Sequence, residues 1–179
     1  ENMALIKEMI VAGVRYDFLG KKNGKPAQSF SEYAFDMHVK EGEKDYYVKG
    51  FIDKLFIYDK KSSALIRDFK TSKQVFKGED KKKNLQDYIY SLAVKYLFPK
   101  VKNRNSEFVF LKFDLEKEDK PEGIMKMRKI SDKKLDEFEI ELTQAQTYLT
   151  KFNYNCAIGS YAADKPHPKD GSFGGPIAC

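Results

Sequence analysis

The chain has little cysteine, little histidine and no long apolar run, and each shortage removes a class of protein. Cys156 and Cys179 are its only cysteines among 179 residues, too few for a disulfide scaffold and not spaced as a zinc site. No apolar stretch approaches the ~20 residues that span a bilayer. No basic segment followed by an apolar one opens the chain as a signal peptide would. The expectation is an intracellular, cytoplasmic protein with no membrane partner. Internal repeats and low-complexity blocks are also missing. What is present is ordinary: 41% hydrophobic and 34% charged residues suit one folded domain with a sizeable core. Lys plus Arg number 33 against 27 Asp plus Glu, a formal charge of +6. That excess permits a polyanionic partner without requiring one, because a solvated lysine-rich surface has the same composition. Opening on Glu1 and stopping at Cys179, the chain reads as a fragment lacking its extreme N-terminus.

Hydrophobic spacing predicts the elements. Residues 2–14 carry apolar positions at helical intervals, and KKNGKP at 21–26 is a turn. The aromatic and β-branched runs 30–39 and 46–58 read as strands joined through EGEK, with a third strand at 63–70 after the DKKSS turn. Between 84 and 98, Leu85, Tyr88, Ile89, Leu92, Ala93, Tyr96 and Leu97 form the stripe of an amphipathic helix that ends near Pro99. Strands at 107–115 and 123–130 follow, and Ser131 is placed to cap a helix carrying Leu135, Phe138, Leu142, Ala145, Leu149 and Phe152. The expected class is α/β, a mixed central β-sheet flanked by helices in the order α-β-β-β-α-β-β-α. The domain is expected over 1–153, with the Gly/Pro-containing 154–179 as an irregular tail.

One stretch conflicts with a plain core strand. ALIRDFKTSK (64–73) places Asp68 and Lys70 two residues apart, hence on one face of a strand, with Phe69 on the other. The preceding strand carries Asp53 within GFIDKLFIY, and a hairpin connection would bring Asp53 towards Asp68. Two carboxylates in apolar surroundings repel each other and lose hydration unless a positive charge sits between them. A divalent cation supplies it, and Mg2+ or Mn2+ prefers hard oxygen ligands together with waters and substrate phosphate. On the helix that follows, Gln86 and Tyr90 stand at i, i+4 and share a face beside the apolar stripe. A blander alternative is a strand end reaching solvent, with each aspartate paired to a nearby lysine.

Taken in order, GFID, IRDFKTSK and LQDYIY resemble the GxxD, D-x-K-T and QxxxY motifs of the RecB-type branch of the PD-(D/E)xK nuclease superfamily, a branch that includes AddAB nuclease domains and phage exonucleases. The likeness is strongest over residues 30–97. It implies a restriction-endonuclease-like core and a Mg2+- or Mn2+-dependent deoxyribonuclease. The expected activity is exonucleolytic, in DNA recombination, repair or phage DNA processing. By the same resemblance Asp53 and Asp68 would be metal ligands, joined by the Phe69 backbone carbonyl and by Glu32 of FSEYAF. Lys70 would orient or activate the attacking water, and Thr71, Gln86 and Tyr90 would handle DNA. Other readings on this core are a nuclease-like DNA-binding subunit without catalysis and a site-specific restriction endonuclease. The pattern departs from the family twice. Many members carry an upstream histidine ligand, but residues 1–29 contain none. Some bind an iron–sulfur cluster through one early and three late cysteines, so with two cysteines no cluster is expected here. His38 and His167 are read as structural or exposed.

Overall fold

The aromatic runs form strands and the helically spaced stripes form helices in the computed structural model, which describes residues 2–78, 83–115 and 122–163, with side chains through 151. In chain order the elements are α1 (Asn2–Arg15), β1 (Gln28–Glu41), β2 (Lys44–Tyr58), β3 (Ser63–Lys70), α2 (Leu85–Leu97), β4 (Asn103–Phe110), β5 (Ile124–Lys126) and α3 (Asp132–Ala163). All five strands belong to one sheet in the order β1-β2-β3-β4-β5. Strands β2 and β3 are antiparallel, with Lys54 opposite Arg67. Strands β3 and β4 are parallel, Asp68 lying beside Phe108 and Lys70 beside Phe110, while β4 and β5 are antiparallel. A parallel pair needs a crossover connection, and α2 provides it. The sheet is therefore mixed, and the element order is the one expected.

Packing divides the chain into two units, Glu1–Met37 with Val48–Leu135 and His38–Tyr47 with Asp136–Cys179. In the first, α1 lies on one face of the sheet, where Ala12 packs with Tyr16, Phe69, Val109 and Leu115. Gly13 permits that approach, since a Cβ there would stand 3.2 Å from Leu111 Cδ2. Alternation turns Phe108 and Phe110 to the other face, packed with Met125 and Phe76. Helix α2 starts where the Asn84 side chain accepts the Asp87 N–H at 3.1 Å, and its Leu92, Ala93 and Val94 are wholly buried. The stripe is rotated from expectation: Leu85 and Leu97 are exposed, and Tyr90 is buried in their place, a position its hydrogen-bonded hydroxyl tolerates.

In the second unit, Lys44 Nζ and Tyr46 Oη each donate to Glu139 of α3 at 2.7 Å. Glu139 is completely buried, which is tolerable because both carboxylate oxygens have donors. The exposed His38 stands 3.7 Å from Asp45.

Strands β1 and β2 run two residues further than expected at the ends that face each other, and three later elements differ more. Strand β4 begins at Asn103 and ends at Phe110 rather than spanning 107–115, because the chain turns there, with Phe113 N–H donating to the Phe110 carbonyl at 3.1 Å. Strand β5 is three residues long, not the whole of 123–130. Helix α3 continues to Ala163, so 154–163, expected to be irregular, is helical. The remainder of the tail, 164–179, with His167 and Cys179, lies outside the described residues, as does the Cys156 side chain. Among the described residues no helix is long and apolar enough to cross a membrane.

Candidate active site

The hairpin connection sets the site. The β2–β3 register ends with Lys54 opposite Arg67, so Asp53 and Asp68 are the next residues along the two strands. Asp53 is half-buried, and its Oδ2 accepts the Phe69 N–H at 2.8 Å, which ties the carboxylate to β3 beside Asp68. Asp68 itself is 3% exposed. Its neighbour on the same face, Lys70, places Nζ 2.7 Å from Asp68 Oδ2. That contact is an ion pair lying off hydrogen-bond direction, and Oδ2 is a buried oxygen with no directed hydrogen bond.

Gln86 reaches this pair from the first turn of α2. Its Nε2 donates to Asp68 Oδ1 at 2.7 Å and to Tyr90 Oη at 2.6 Å, and its Oε1 accepts from Lys70 Nζ at 2.7 Å. The chemistry of the neighbours fixes this orientation of the amide. An ammonium can only donate and an ionised carboxylate can only accept, so oxygen must face Lys70 and nitrogen Asp68. Tyr90 Oη completes the ring of contacts at 3.5 Å from Asp68 Oδ1. Gln86 and Tyr90, one turn apart on a helix face, thus hold an acid and a base that are two residues apart on a strand.

Burial pushes the Asp68 carboxyl above its ordinary value; the Lys70 contact opposes that shift, and the charge of Asp53 adds to it. Tyr90 is pushed up to about 12, chiefly by burial, with its contact to Gln86 opposing and the carboxylates of Asp68 and Asp53 adding. Its hydroxyl therefore stays protonated, a neutral donor at the carboxylate. An acid whose charged form is disfavoured by burial and by a second carboxylate, in spite of its lysine, is a group that a further cation would relieve.

The donor set fits a hard divalent ion. Mg2+ is commonly held by one or two carboxylates, with waters and substrate phosphate completing its shell, and Asp53 and Asp68 meet that need. Among the described residues no three of His, Cys, Asp and Glu gather, so Glu32 is not brought to the two aspartates. It lies exposed on β1 with a left-handed φ of 50°. Phe69 sits between Asp68 and Lys70 along β3 with its ring in the α1-facing cluster. Thr71 is exposed immediately beyond the strand.

Sequence reasoning missed two features. It assigned Gln86 and Tyr90 to DNA without seeing that they grip Asp68 and Lys70; the shared i, i+4 face next to a D-x-K strand was the available signal. It also passed over the buried ion pair on the opposite face, where Arg67 Nε donates to Glu107 Oε1 at 2.6 Å. An arginine inside an apolar strand marked that pair.

A family model described as the PD-(D/E)XK nuclease superfamily matches residues 6–161. Among solved structures, one titled "Crystal structure of SSO0001" is 16% identical with a TM-score of 0.42, over 92% of this chain and 70% of that one. The search of curated proteins returns no match.

Proposed function

The chain belongs to the PD-(D/E)XK nuclease superfamily, and from that premise we propose that it is a metal-dependent deoxyribonuclease of the RecB-type branch. The substrate is DNA with a free end, hydrolysed during recombination, repair or phage DNA processing. The observation that carries this reading is Asp68: buried, raised in pKa, next along the hairpin from Asp53, and facing Lys70 Nζ at 2.7 Å from the same side of the strand.

Asp53 and Asp68 would hold Mg2+ or Mn2+, with the Phe69 carbonyl as a further oxygen donor. When bound, the cation would polarise the phosphoryl group and acidify a nearby water. The protein's own groups do the rest. Lys70, anchored on Gln86 Oε1, presents a fixed positive charge for the phosphate oxygens as negative charge accumulates on them. Gln86 keeps Asp68 and Lys70 in register, and Tyr90 keeps Gln86 in place, so little reorganisation is needed when the substrate arrives. Thr71, exposed just beyond β3, would in this reading contact the DNA.

End-labelled linear DNA and closed circular DNA, each incubated with Mg2+, Mn2+ or EDTA, test the proposal. Cleavage of the linear form alone, abolished by EDTA, is expected. Equal cleavage of the circle would remove the requirement for an end and favour an endonuclease. Activity that survives EDTA would remove the metal, and binding without cleavage under any condition would indicate a nuclease-like DNA-binding subunit.

A further inference from the structure

The same two residues that hold the acid and the base also form a wall of a cleft of about 580 Å3 in the first unit. Its other walls are of two kinds. Phe35, Phe51, Phe76 and Ile89 are aromatic or apolar, and Lys49 and Lys83 are cationic. The aromatics are not equally accessible. Phe35 is buried and braced edge-on against Tyr90, with centroids 6.1 Å apart. Phe76 is similarly braced by Phe108 and Phe110. Phe51, by contrast, is 61% exposed and lies two residues from Asp53. Gly50 keeps this part of β2 close to the cleft floor, since a Cβ there would stand 2.8 Å from Phe35 Cζ.

An exposed aromatic face in a cleft that also carries two lysines and shares Gln86 and Tyr90 with the proposed cutting site has the chemistry of a single-strand platform. Bases stack on the ring and lysines follow the phosphates, a mode available only to unstacked bases because in a duplex the neighbouring base pairs cover those faces. The volume lies in the range of clefts that enclose a small ligand. Lys49 and Lys83 give the cleft the charge a nucleic-acid backbone complements. We propose that this cleft receives an unpaired base of single-stranded DNA on Phe51, and that it makes single strands or frayed ends, rather than blunt duplex, the preferred substrate. The proposal rests on the nuclease reading for the identity of the ligand, and it deepens that reading by naming the strand state.

The test separates binding from cleavage. Affinities of the full chain for a fluorescent oligothymidylate and for a blunt hairpin duplex are measured in EDTA, for wild type, Phe51→Ala and Lys49→Ala. Cleavage of both DNAs by wild type is followed in Mn2+. Phe51 is a surface residue, so its variant should melt with the wild type. The expected results are tighter binding of the single strand by wild type and a loss of about tenfold on that strand in Phe51→Ala, the size of one base–aromatic stack, with the duplex little changed. In Lys49→Ala the salt dependence on the single strand should fall by about 0.7 in log–log slope, one phosphate contact. Unchanged single-strand affinity in Phe51→Ala would overturn the cleft assignment even if DNA is cleaved. An equal loss on both DNAs would overturn the strand preference. Loss confined to the single strand in a protein that cuts no DNA would uphold the cleft and overturn the nuclease reading instead.

Discussion

Arg67 and Asp68 are neighbours on β3 and both are buried, yet their side chains meet opposite treatment on the two faces of the sheet. Arg67 is saturated. Its Nε donates to Glu107 at 2.6 Å, its Nη1 to the Asp17 carbonyl at 2.8 Å, and its Nη2 lies 3.4 Å from the Asp17 carboxylate. The guanidinium also lies against the rings of Tyr16 and Phe56, 5.0 and 5.2 Å from their centroids. Asp68 has Gln86 and Tyr90 on one oxygen and only the partly exposed ammonium of Lys70, 2.7 Å away, on the other. The difference separates structure from function better than burial does. A closed set of partners joins the end of α1 to β3 and β4, whereas a buried acid whose outer oxygen meets only a lysine, 25% exposed, can still take a cation.

Breaking the saturated face should cost most. Glu107→Gln removes one of the two carboxylates that face Arg67 and leaves the guanidinium on Asp17, which should destabilise the fold by about 1.5–3 kcal/mol, the worth of a hydrogen bond to a charged group. Replacing both residues, as in Arg67→Met with Glu107→Leu, should recover only part of that loss, because the desolvation cost of Arg67 and Glu107 disappears with their attraction while the Asp17 carboxylate loses its cation. Urea denaturation of the single and double variants checks both. If the single variant loses less than about 1 kcal/mol, Arg67 is not the clamp that its contacts describe.

The open face should respond in the other direction. Because the folded protein raises the Asp68 pKa, the native state binds this proton more tightly than the unfolded chain. The carboxylate therefore costs stability once the pH passes above its raised value, and the cost disappears as the pH falls below the ordinary value. Asp68→Asn should then melt at or above the wild-type temperature without metal at neutral pH, and its pH dependence should be flatter on the acid side. At a Mn2+ concentration a hundredfold above its dissociation constant, wild type should gain about 2.7 kcal/mol; the variant should gain little and cleave no DNA. Melting curves across a Mn2+ titration supply the measurement. A variant destabilised in EDTA that keeps the wild-type metal response would make Asp68 a second structural ion pair, like Arg67 with Glu107.

That contrast also explains what could be seen before the fold. Element types and order follow from period-2 and period-3.6 spacing, and these held because β3 and β4 are apolar runs covered on both faces, short enough to be strands and bounded by turns. The pairing of Asp53 with Asp68 was legible because a short turn forces two strands into one hairpin. The end of β4 at Phe110 was not, since Leu111 and Phe113 continue the apolar pattern while the chain turns. The grip of Gln86 on both Asp68 and Lys70 was also hidden. It depends on how α2 is rotated over the sheet, and the stripe alone favoured a rotation that buried Leu85 and Leu97 rather than Tyr90.

The smallest expected effect tests that rotation. Tyr90→Phe keeps the buried ring and its edge contact with Phe35 but removes the hydroxyl that accepts from Gln86 Nε2 at 2.6 Å. The remaining bond from Nε2 to Asp68 still satisfies the amide in part, so the loss of stability should be about 0.5–1.5 kcal/mol. The effect on chemistry should be larger than that loss would imply if the hydroxyl positions the site. Partners that orient a metal-binding carboxylate commonly change activity by about ten- to a hundredfold when removed. A positioning role lowers kcat at an unchanged KM and raises the Mn2+ concentration needed for half-maximal rate, because Asp68 is then held less firmly. A direct DNA contact would instead raise KM with kcat intact. A small loss of stability with both kinetic parameters unchanged would reduce Tyr90 to packing and leave Gln86 as the sole support of Asp68 and Lys70.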